Sequence, residues 1–188
     1  MRIINEWVTN QVTIVLQQML ADRGYSSIEL IGNHETFISG GIIMRAGVPR
    51  KIDVISIPEK IGVKTLRSVE DEYQQQSVMI VTLQKPTPPG LRQLAKIGSL
   101  CSVYDIGFLV RNVTRHHLVP KHEIVDKQEI SQICKRWRID CLRRLPVMRL
   151  QDPIVRYLGA GIGDVIKVSG PDGTSVGASI RYCLVCKN

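Results

Sequence analysis

Apolar residues at Val8, Val12, Val15, Leu16, Met19 and Leu20 recur three and four positions apart, the spacing of one helix face. Asn5 stands where a cap belongs and Gly24 where a helix ends, so the pattern predicts one amphipathic helix over residues 6–23. The next stretch, Tyr25 to Arg50, is broken by Gly32, Gly40, Gly41 and Gly47, with Phe37-Ile38 as a short strand. Ile52 to Ile57 reads as a strand closed by Pro58, and Val63 to Gln76 as a helix carried by Leu66, Val69 and Tyr73. Ser77 to Leu83 is a continuous apolar run rich in β-branched residues, which predicts a strand buried on both faces. Pro86, Pro88, Pro89 and Gly90 then predict an exposed loop. Leu91 to Ile97 follows as a short helix ended by Gly98, with strand-like pieces at Leu100–Tyr104 and Phe108–Val113. Strand and helix alternate throughout residues 1–115, an α/β pattern.

The pattern changes near Arg115. His116 to His122 reads as a junction. Asp126-Lys127-Gln128-Glu129 has the form of a capping box with Asp in place of Ser or Thr, and Ile130, Ile133, Cys134 and Trp137 mark one apolar helix face after it. Leu145-Pro146 stops that region, and Val147 to Leu150 is a short strand. Asp152-Pro153 pairs an N-cap with proline at the first helical position, opening a short helix, Ile154–Leu158, that ends at Gly159. Val165–Val168 and Ile180–Val185 are strands flanking a Pro171-Asp172-Gly173 turn. Residues 116–188 therefore read as a second, compact α+β unit.

Charge narrows the partners. The chain has 188 residues, a formal net charge of +8 and a pI near 9.4, which favours a polyanion such as nucleic acid or an anionic membrane surface. No stretch approaches the ~20 apolar residues of a membrane span, and the N-terminal residues meet a polar helix rather than the apolar run of a signal peptide. Without a secretion signal, the odd set of five cysteines at 101, 134, 141, 183 and 186 reads as reduced thiols of cytosol or nucleus.

Candidate chemistry is thin. His116, His117 and His122 lie close in sequence, with Cys134 and Cys141 beyond them and His34 far off, but their spacing fits no paired zinc-ligand set. Cys183-x-x-Cys186 falls on a predicted strand, whereas a redox pair opens a helix, so packing under a sheet is the plainer role. A metal-dependent nuclease on the α/β half would need Asp53 and an acid of Glu70-Asp71-Glu72 to converge, yet those three splay around a predicted helix. The glycine-rich run Ser169 to Gly177 lacks the spacing and lysine of a phosphate loop and reads as a hairpin connection. Basic residues are more telling: Lys135, Arg136, Arg138, Arg143, Arg144 and Arg149 crowd the second unit, and Lys85 and Arg92 flank the proline loop of the first. Either group suits phosphates or an acidic protein surface.

Several stretches resemble one family, in order and in spacing. Leu118-Val119-Pro120-Lys121-His122, then Leu145-Pro146, then Asp152-Pro153-Ile154-Val155-Arg156-Tyr157-Leu158-Gly159, then Gly163 to Val168, are similar to the C-terminal domain of a small subunit shared among eukaryotic nuclear DNA-directed RNA polymerases, a domain with an archaeal counterpart. The first unit resembles the eukaryotic form too, through Asp22-Arg23-Gly24-Tyr25, Ile61-Gly62-Val63-Lys64-Thr65-Leu66 and Thr87-Pro88-Pro89-Gly90. The chain departs from the family at Gly170–Gly177, where the family's arginine is replaced and one residue is inserted, and between Gly32 and Lys60, which is shorter.

The resemblance implies an α/β N-terminal jaw domain over residues 1–115 and a compact α+β C-terminal assembly domain over 116–188. It implies a non-catalytic structural subunit that docks on the largest polymerase subunit, joins other polymerase subunits and lines the channel for downstream duplex DNA. No cofactor, metal, membrane or small-molecule substrate is expected. DNA contact is expected from Lys85, Thr87, Pro88 and Arg92, and largest-subunit contact from Leu118, Val119, Pro120, His122, Asp152, Pro153, Arg156 and Tyr157. The implied location is the nucleus, or a virion or host cytoplasm for a viral copy. The rival reading is a free-standing nucleic-acid-binding regulator, which would bind DNA tightly on its own.

Overall fold

A computed structural model describes residues 6–25, 36–45, 48–57, 61–72, 77–97, 101–171 and 178–187. The chain divides into two compact units, Met1–Arg111 and Asn112–Asn188.

In the first unit, helix α1 (Glu6–Asp22) buries Val12, Val15, Leu16, Met19 and Leu20, the periodic positions of the sequence. Its end is a left-handed glycine cap: Gly24 sits at φ 85°, and the amides of Gly24 and Tyr25 reach the carbonyls of Ala21 and Leu20 at 2.9 Å each. The sheet has the order β1-β2-β3-β4, with β1 (Thr36–Arg45), β2 (Val48–Ile57), β3 (Ser77–Thr82) and β4 (Cys101–Asp105). β1 and β2 form an antiparallel pair, and β2, β3 and β4 run parallel. Helices α2 (Val63–Glu72) and α3 (Pro88–Ile97) supply the two crossovers. Leu66 and Val69 of α2 and Leu94 and Ile97 of α3 pack on Ile55, Val78, Ile80 and Val103, so both helices cover one face. Met79 and Val81 alternate to the other face and are also buried, as the continuous apolar run of β3 predicts. Tyr104 shares that second face, and its hydroxyl accepts a 2.8 Å bond from Arg23 just beyond α1.

Several local expectations are revised. β1 extends over ten residues, with register shifts on either side of Ile38 that accommodate Gly40 and Gly41. Pro88 and Pro89 do not remain in a loop but open α3, where the first amides of a helix have no intrahelical partner and a missing N–H costs nothing. Phe108–Val113 is not a strand. Asp105 Oδ1 accepts from the Phe108 amide at 2.8 Å and caps a one-turn helix, α4 (Ile106–Leu109), and Asn112 Oδ1 accepts from Thr114 at 3.0 Å and caps a 3₁₀ turn, Val113–Arg115. The expected Asn5 cap, the Pro58 and Gly98 stops, the last turn before Gln76 and the turn at 172–173 lie outside the described residues.

The second unit is a four-stranded sheet, β5-β7-β8-β6, from β5 (Lys121–Ile124), β6 (Val147–Arg149), β7 (Val165–Pro171) and β8 (Ala178–Cys186). β7 pairs antiparallel with both β5 and β8, and β6 pairs parallel with β8. Helix α5 (Lys127–Trp137) packs Ile130 and Ile133 with Leu145, Val165 and Leu184 on one face. Helix α6 (Pro153–Leu158) packs Val155 and Leu158 with Met148, Ile166, Val168 and Val185 on the other. Asp126 is the N-cap of α5 but its side chain makes no capping bond, and Glu129 approaches Lys167 at 3.7 Å, so the capping box is not formed. The cap of α6 is formed as expected: Asp152 Oδ1 accepts from the Ile154 amide at 2.8 Å, Pro153 takes the first position, and Gly159 closes the helix at φ 67°. Residues 112–115 fall in this unit, four residues before the expected junction, and Asn112 Nδ2 donates to the Tyr157 hydroxyl at 2.9 Å.

Candidate functional site

In the first unit the expected DNA-contact residues lie at the carboxyl ends of the parallel strands β2 and β3. Thr82 ends β3 fully buried, and its hydroxyl holds Gln84 through both the carbonyl (2.9 Å) and the amide (3.2 Å). The chain then turns through exposed Lys85 to Thr87. The Thr87 amide donates to the Ile61 carbonyl at 3.1 Å, its hydroxyl donates to the same carbonyl at 3.3 Å, and that hydroxyl accepts from the Gly90 amide at 3.2 Å. Thr87 is therefore a cap and a tie between the β2–α2 and β3–α3 connections. Gly90 is buried at this crossing, where a Cβ would stand 3.0 Å from the Ile61 carbonyl oxygen. Pro88 and Arg92 are exposed on the first turns of α3. Exposed Lys64 opens α2 at the same edge and adds a third cation that the proline-loop pattern did not mark. Both helix N-termini face this edge and strengthen its attraction for anions.

In the second unit, two stretches distant in sequence come together. Helix α6 packs against β5 and against the 3₁₀ turn at Val113–Arg115. Leu118 is 76% exposed, on a turn held by Val119 donating to the His116 carbonyl at 2.9 Å. Val119, Pro120 and His122 are half-buried. Pro120 lies against Gly170 of β7, and its carbonyl is 2.7 Å from His122 Nδ1. His122 pairs in register with Val168, which turns both toward the α6 side. Within α6, Asp152 caps, Pro153 is exposed, Arg156 is half-buried and Tyr157 is 4% exposed with its hydroxyl on Asn112. Leu118, Val119, Pro120, His122, Pro153 and Arg156 thus offer surface, and Asp152 and Tyr157 organise the elements beneath it.

The remaining candidates take structural positions. Cys183 and Cys186, three apart on β8, point to opposite faces, one packed with the α6 core and the other with the α5 core, so they do not face each other. Burial raises the pKa of Cys183, with Arg181 opposing the shift. Asp53 is buried on β2 beside Val78, while Glu70, Asp71 and Glu72 stand exposed on α2. Among the described residues, no three His, Cys, Asp or Glu side chains gather as metal ligands. His116 and His117 stack on each other at 4.6 Å instead. No helix among the described residues is long and apolar enough to cross a membrane.

Comparison with known proteins bears on the family of the chain. Residues 111–185, the second unit almost end to end, match the family model for the C-terminal domain of RNA polymerase Rpb5. The DNA-directed RNA polymerase subunit Rpo5 of Methanocaldococcus jannaschii is 47% identical over 75 residues, which span 40% of the chain and 94% of that protein. The chain belongs to the RNA polymerase Rpb5 family. The first unit is matched as well: subunit rpabc1 of DNA-directed RNA polymerases I, II and III from Dictyostelium discoideum is 29% identical over 189 residues, covering 93% of the chain and 95% of the relative. The Caenorhabditis elegans subunit RPABC1 is 31% identical over 133 residues, 67% of the chain, and the match spans 61% of that nematode protein. Membership rests chiefly on the second unit, where α6, β7 and their caps carry the motif residues.

Proposed function

We propose that the chain is a non-catalytic structural subunit of a multisubunit DNA-directed RNA polymerase, acting in transcription. The match over 94% of archaeal Rpo5 carries this reading, because its 75 residues are as many as the C-terminal-domain match, residues 111–185, contains. In this reading the second unit is the assembly domain. It docks on the largest polymerase subunit through Leu118, Val119, Pro120, His122, Pro153 and Arg156, with Asp152 and Tyr157 holding the surface in shape. The exposure of Leu118, with Val119 and Pro120 half-buried beside it, supports this, since apolar surface left open to water on a hydrogen-bonded turn gains from burial against a partner. The first unit is the jaw. Lys85, Pro88 and Arg92, with Thr87 fixing the loop, approach downstream duplex DNA through sequence-independent phosphate contacts. The cellular form of such a subunit would work in the nucleus, and a viral copy in the virion or host cytoplasm.

Tagged chain purified from its source should carry the two large polymerase subunits with it. Leu118→Asp should lose them while the free chain stays folded. Migration of the native chain as a lone monomer, or tight DNA binding by it, would favour the free-standing regulator. For the jaw, Lys85→Ala with Arg92→Ala should lower the salt dependence of elongation-complex stability. An unchanged salt slope rejects the DNA role of these two residues.

A further inference from the structure

The chain's positive charge is unevenly placed, and neither proposed surface uses most of it. The second unit holds thirteen Lys and Arg against seven Asp and Glu, whereas the first holds twelve against ten. Within residues 135–149 six basic side chains meet one acid, Asp140. The fold places these six on the α5 side of the sheet, opposite α6. Lys135 and Arg136 lie in the last turn of α5, and Arg138 is its left-handed cap at φ 51°. Arg143 and Arg144 lie in the 3₁₀ turn Leu142–Arg144, whose Leu142 packs into the α5 core. Arg149 on edge strand β6 pairs with Cys186, which packs in the same core, and so faces the same side. All six are exposed, and among the described residues only Arg144 meets a carboxylate, Asp140, at 3.3 Å.

Aromatic surface runs through this charge. Trp137, between Arg136 and Arg138, packs edge-on against Tyr182 at 5.5 Å and is 48% exposed. Along β8, Ile180, Tyr182, Leu184 and Cys186 share this face at a spacing of about 6.8 Å per pair of residues. Arg149 closes one end of that row and Ile180, 46% exposed, lies at the other.

We propose that the α5 side of the second unit is a binding surface for single-stranded polynucleotide, with the arginines on phosphates and a base stacked on Trp137. Five of the six cations are arginine, whose planar fork meets phosphate oxygens in pairs. An acidic peptide would gain little from them, because each exposed ion pair contributes only ~0–1 kcal/mol. A polyphosphate releases condensed counterions at every contact, so its affinity grows with the number of cations aligned. A half-open tryptophan that follows Arg136 and precedes Arg138 in the chain provides a π-face on which any base stacks. Binding is sequence-independent and weak, with a dissociation constant of roughly 10⁻⁴–10⁻⁶ M at physiological salt.

The test uses the full chain with Trp7→Phe, which leaves Trp137 as the sole tryptophan. A dT oligonucleotide about 15 nucleotides long should quench its fluorescence, with a log–log salt slope of about −2 to −4 for three to six phosphate contacts. Arg136→Gln, Arg138→Gln and Arg143→Gln together should reduce that slope by about 2 and weaken binding tenfold or more at ~0.1 M salt. Trp137→Leu, which removes the reporter and is therefore read by the anisotropy of a fluorescein-labelled oligonucleotide alongside the parent chain, should weaken binding about fivefold or more and leave the slope unchanged. Removing equal charge from exposed sites of the first unit, through Arg67→Gln, Lys96→Gln and Arg111→Gln, should do neither. Three results would overturn the proposal: no quenching of Trp137, an equal effect from the first-unit charges, or displacement by poly-glutamate as effective as by the oligonucleotide. The last would show an acidic protein partner.

Discussion

Gly170 lies where β7 passes under the turn that carries Leu118, Val119 and Pro120, so a methyl group there tests how that turn is supported. A Cβ built at residue 170 would lie 2.7 Å from Pro120 Cβ, 3.5 Å from Pro120 Cα and 3.8 Å from Pro120 Cγ, against an ordinary contact of 3.4–4 Å. The two chains must separate by at least about 0.7 Å at a place where neither is loose. Pro120 is a rigid ring, and its carbonyl is engaged by His122 at 2.7 Å. The next residue, Lys121, already pairs with Ser169, and Gly170 pairs with Ser179 on the other side. Overpacking of this kind costs ~1–3 kcal/mol. Replacing a strand glycine with alanine recovers about 0.5–1 kcal/mol of chain entropy. These ranges leave a net loss of up to about 2.5 kcal/mol, and the rigid ring 2.7 Å away puts Gly170→Ala in the upper part of it, about 1–2.5 kcal/mol or a 5–70-fold fall in the folding constant. Urea unfolding in the Trp7→Phe background, where Trp137 reports the second unit, measures it. Pro120→Gly removes the opposing Cβ, so the same substitution in that background should be neutral or stabilising, with a coupling of ~1 kcal/mol or more. Equal losses in the two backgrounds, or a Gly170→Ala chain as stable as its parent, would refute a steric contact between these residues. By the same reasoning Gly170→Ala should weaken capture of the largest polymerase subunit more than its stability loss explains, because it displaces Pro120 within the proposed interface.

Tyr157→Phe removes the acceptor of the 2.9 Å bond from Asn112 and should cost ~0.5–1.5 kcal/mol in the same urea assay; an unchanged midpoint would place the tie between the 3₁₀ turn and α6 elsewhere. Asp152→Ala deletes the cap on the Ile154 amide and should cost ~0.5–2 kcal/mol, with Asp152→Asn recovering most of it, whereas equal losses would assign the effect to charge rather than capping. Cys101 should make stability fall at alkaline pH. Burial, and then Glu70, raise its pKa from 9.0 to about 11, so the native state holds the thiol protonated where the unfolded chain ionises it. The stability this contributes is present below about pH 9 and lost as pH rises toward 11, so Cys101→Ala should flatten the decline in urea midpoint between about pH 8.5 and pH 10.5.

What was legible in the sequence divides by the range of the interactions that decide it. α1 and α6 are legible almost to the residue because a periodic face and a cap are both local, and the Asp152-Pro153 start and Gly159 stop leave little freedom. β3 is legible for a similar reason, since burial on both faces leaves a continuous apolar run. The failures are cases where a local signal had two meanings. Phe108 to Val113 carries strand-like residues, but Asp105 and Asn112 each turn the backbone by accepting from an amide two or three residues on, and two short turns result. Pro88 and Pro89 break a helix only in its interior; in the first turn the same rings are tolerated, so the loop ends sooner than the proline count suggests. Asp126 and Glu129 have capping-box spacing, yet Glu129 meets Lys167 from a strand nearly forty positions away, a competitor no local reading includes.

The candidate surfaces show the same division more sharply, because a surface is defined by which residues share a face. The motif stretches 118–122 and 152–159 can each be read as a string, but their adjacency follows from the β5–β7 register and from α6 lying across β5, which no string states. That adjacency separates Tyr157, turned inward onto Asn112, from Arg156, its neighbour in the chain and half-open to solvent. The basic residues 135–149 were visible as a cluster, but not as one side of a sheet. They become so only because β6 pairs parallel with β8, and that pairing turns Arg149 to the side that α5 covers. The same alternation sends Cys183 and Cys186 to opposite faces, so one sheet register both removes a redox pair suggested by spacing and assembles a cationic surface that spacing alone left undecided.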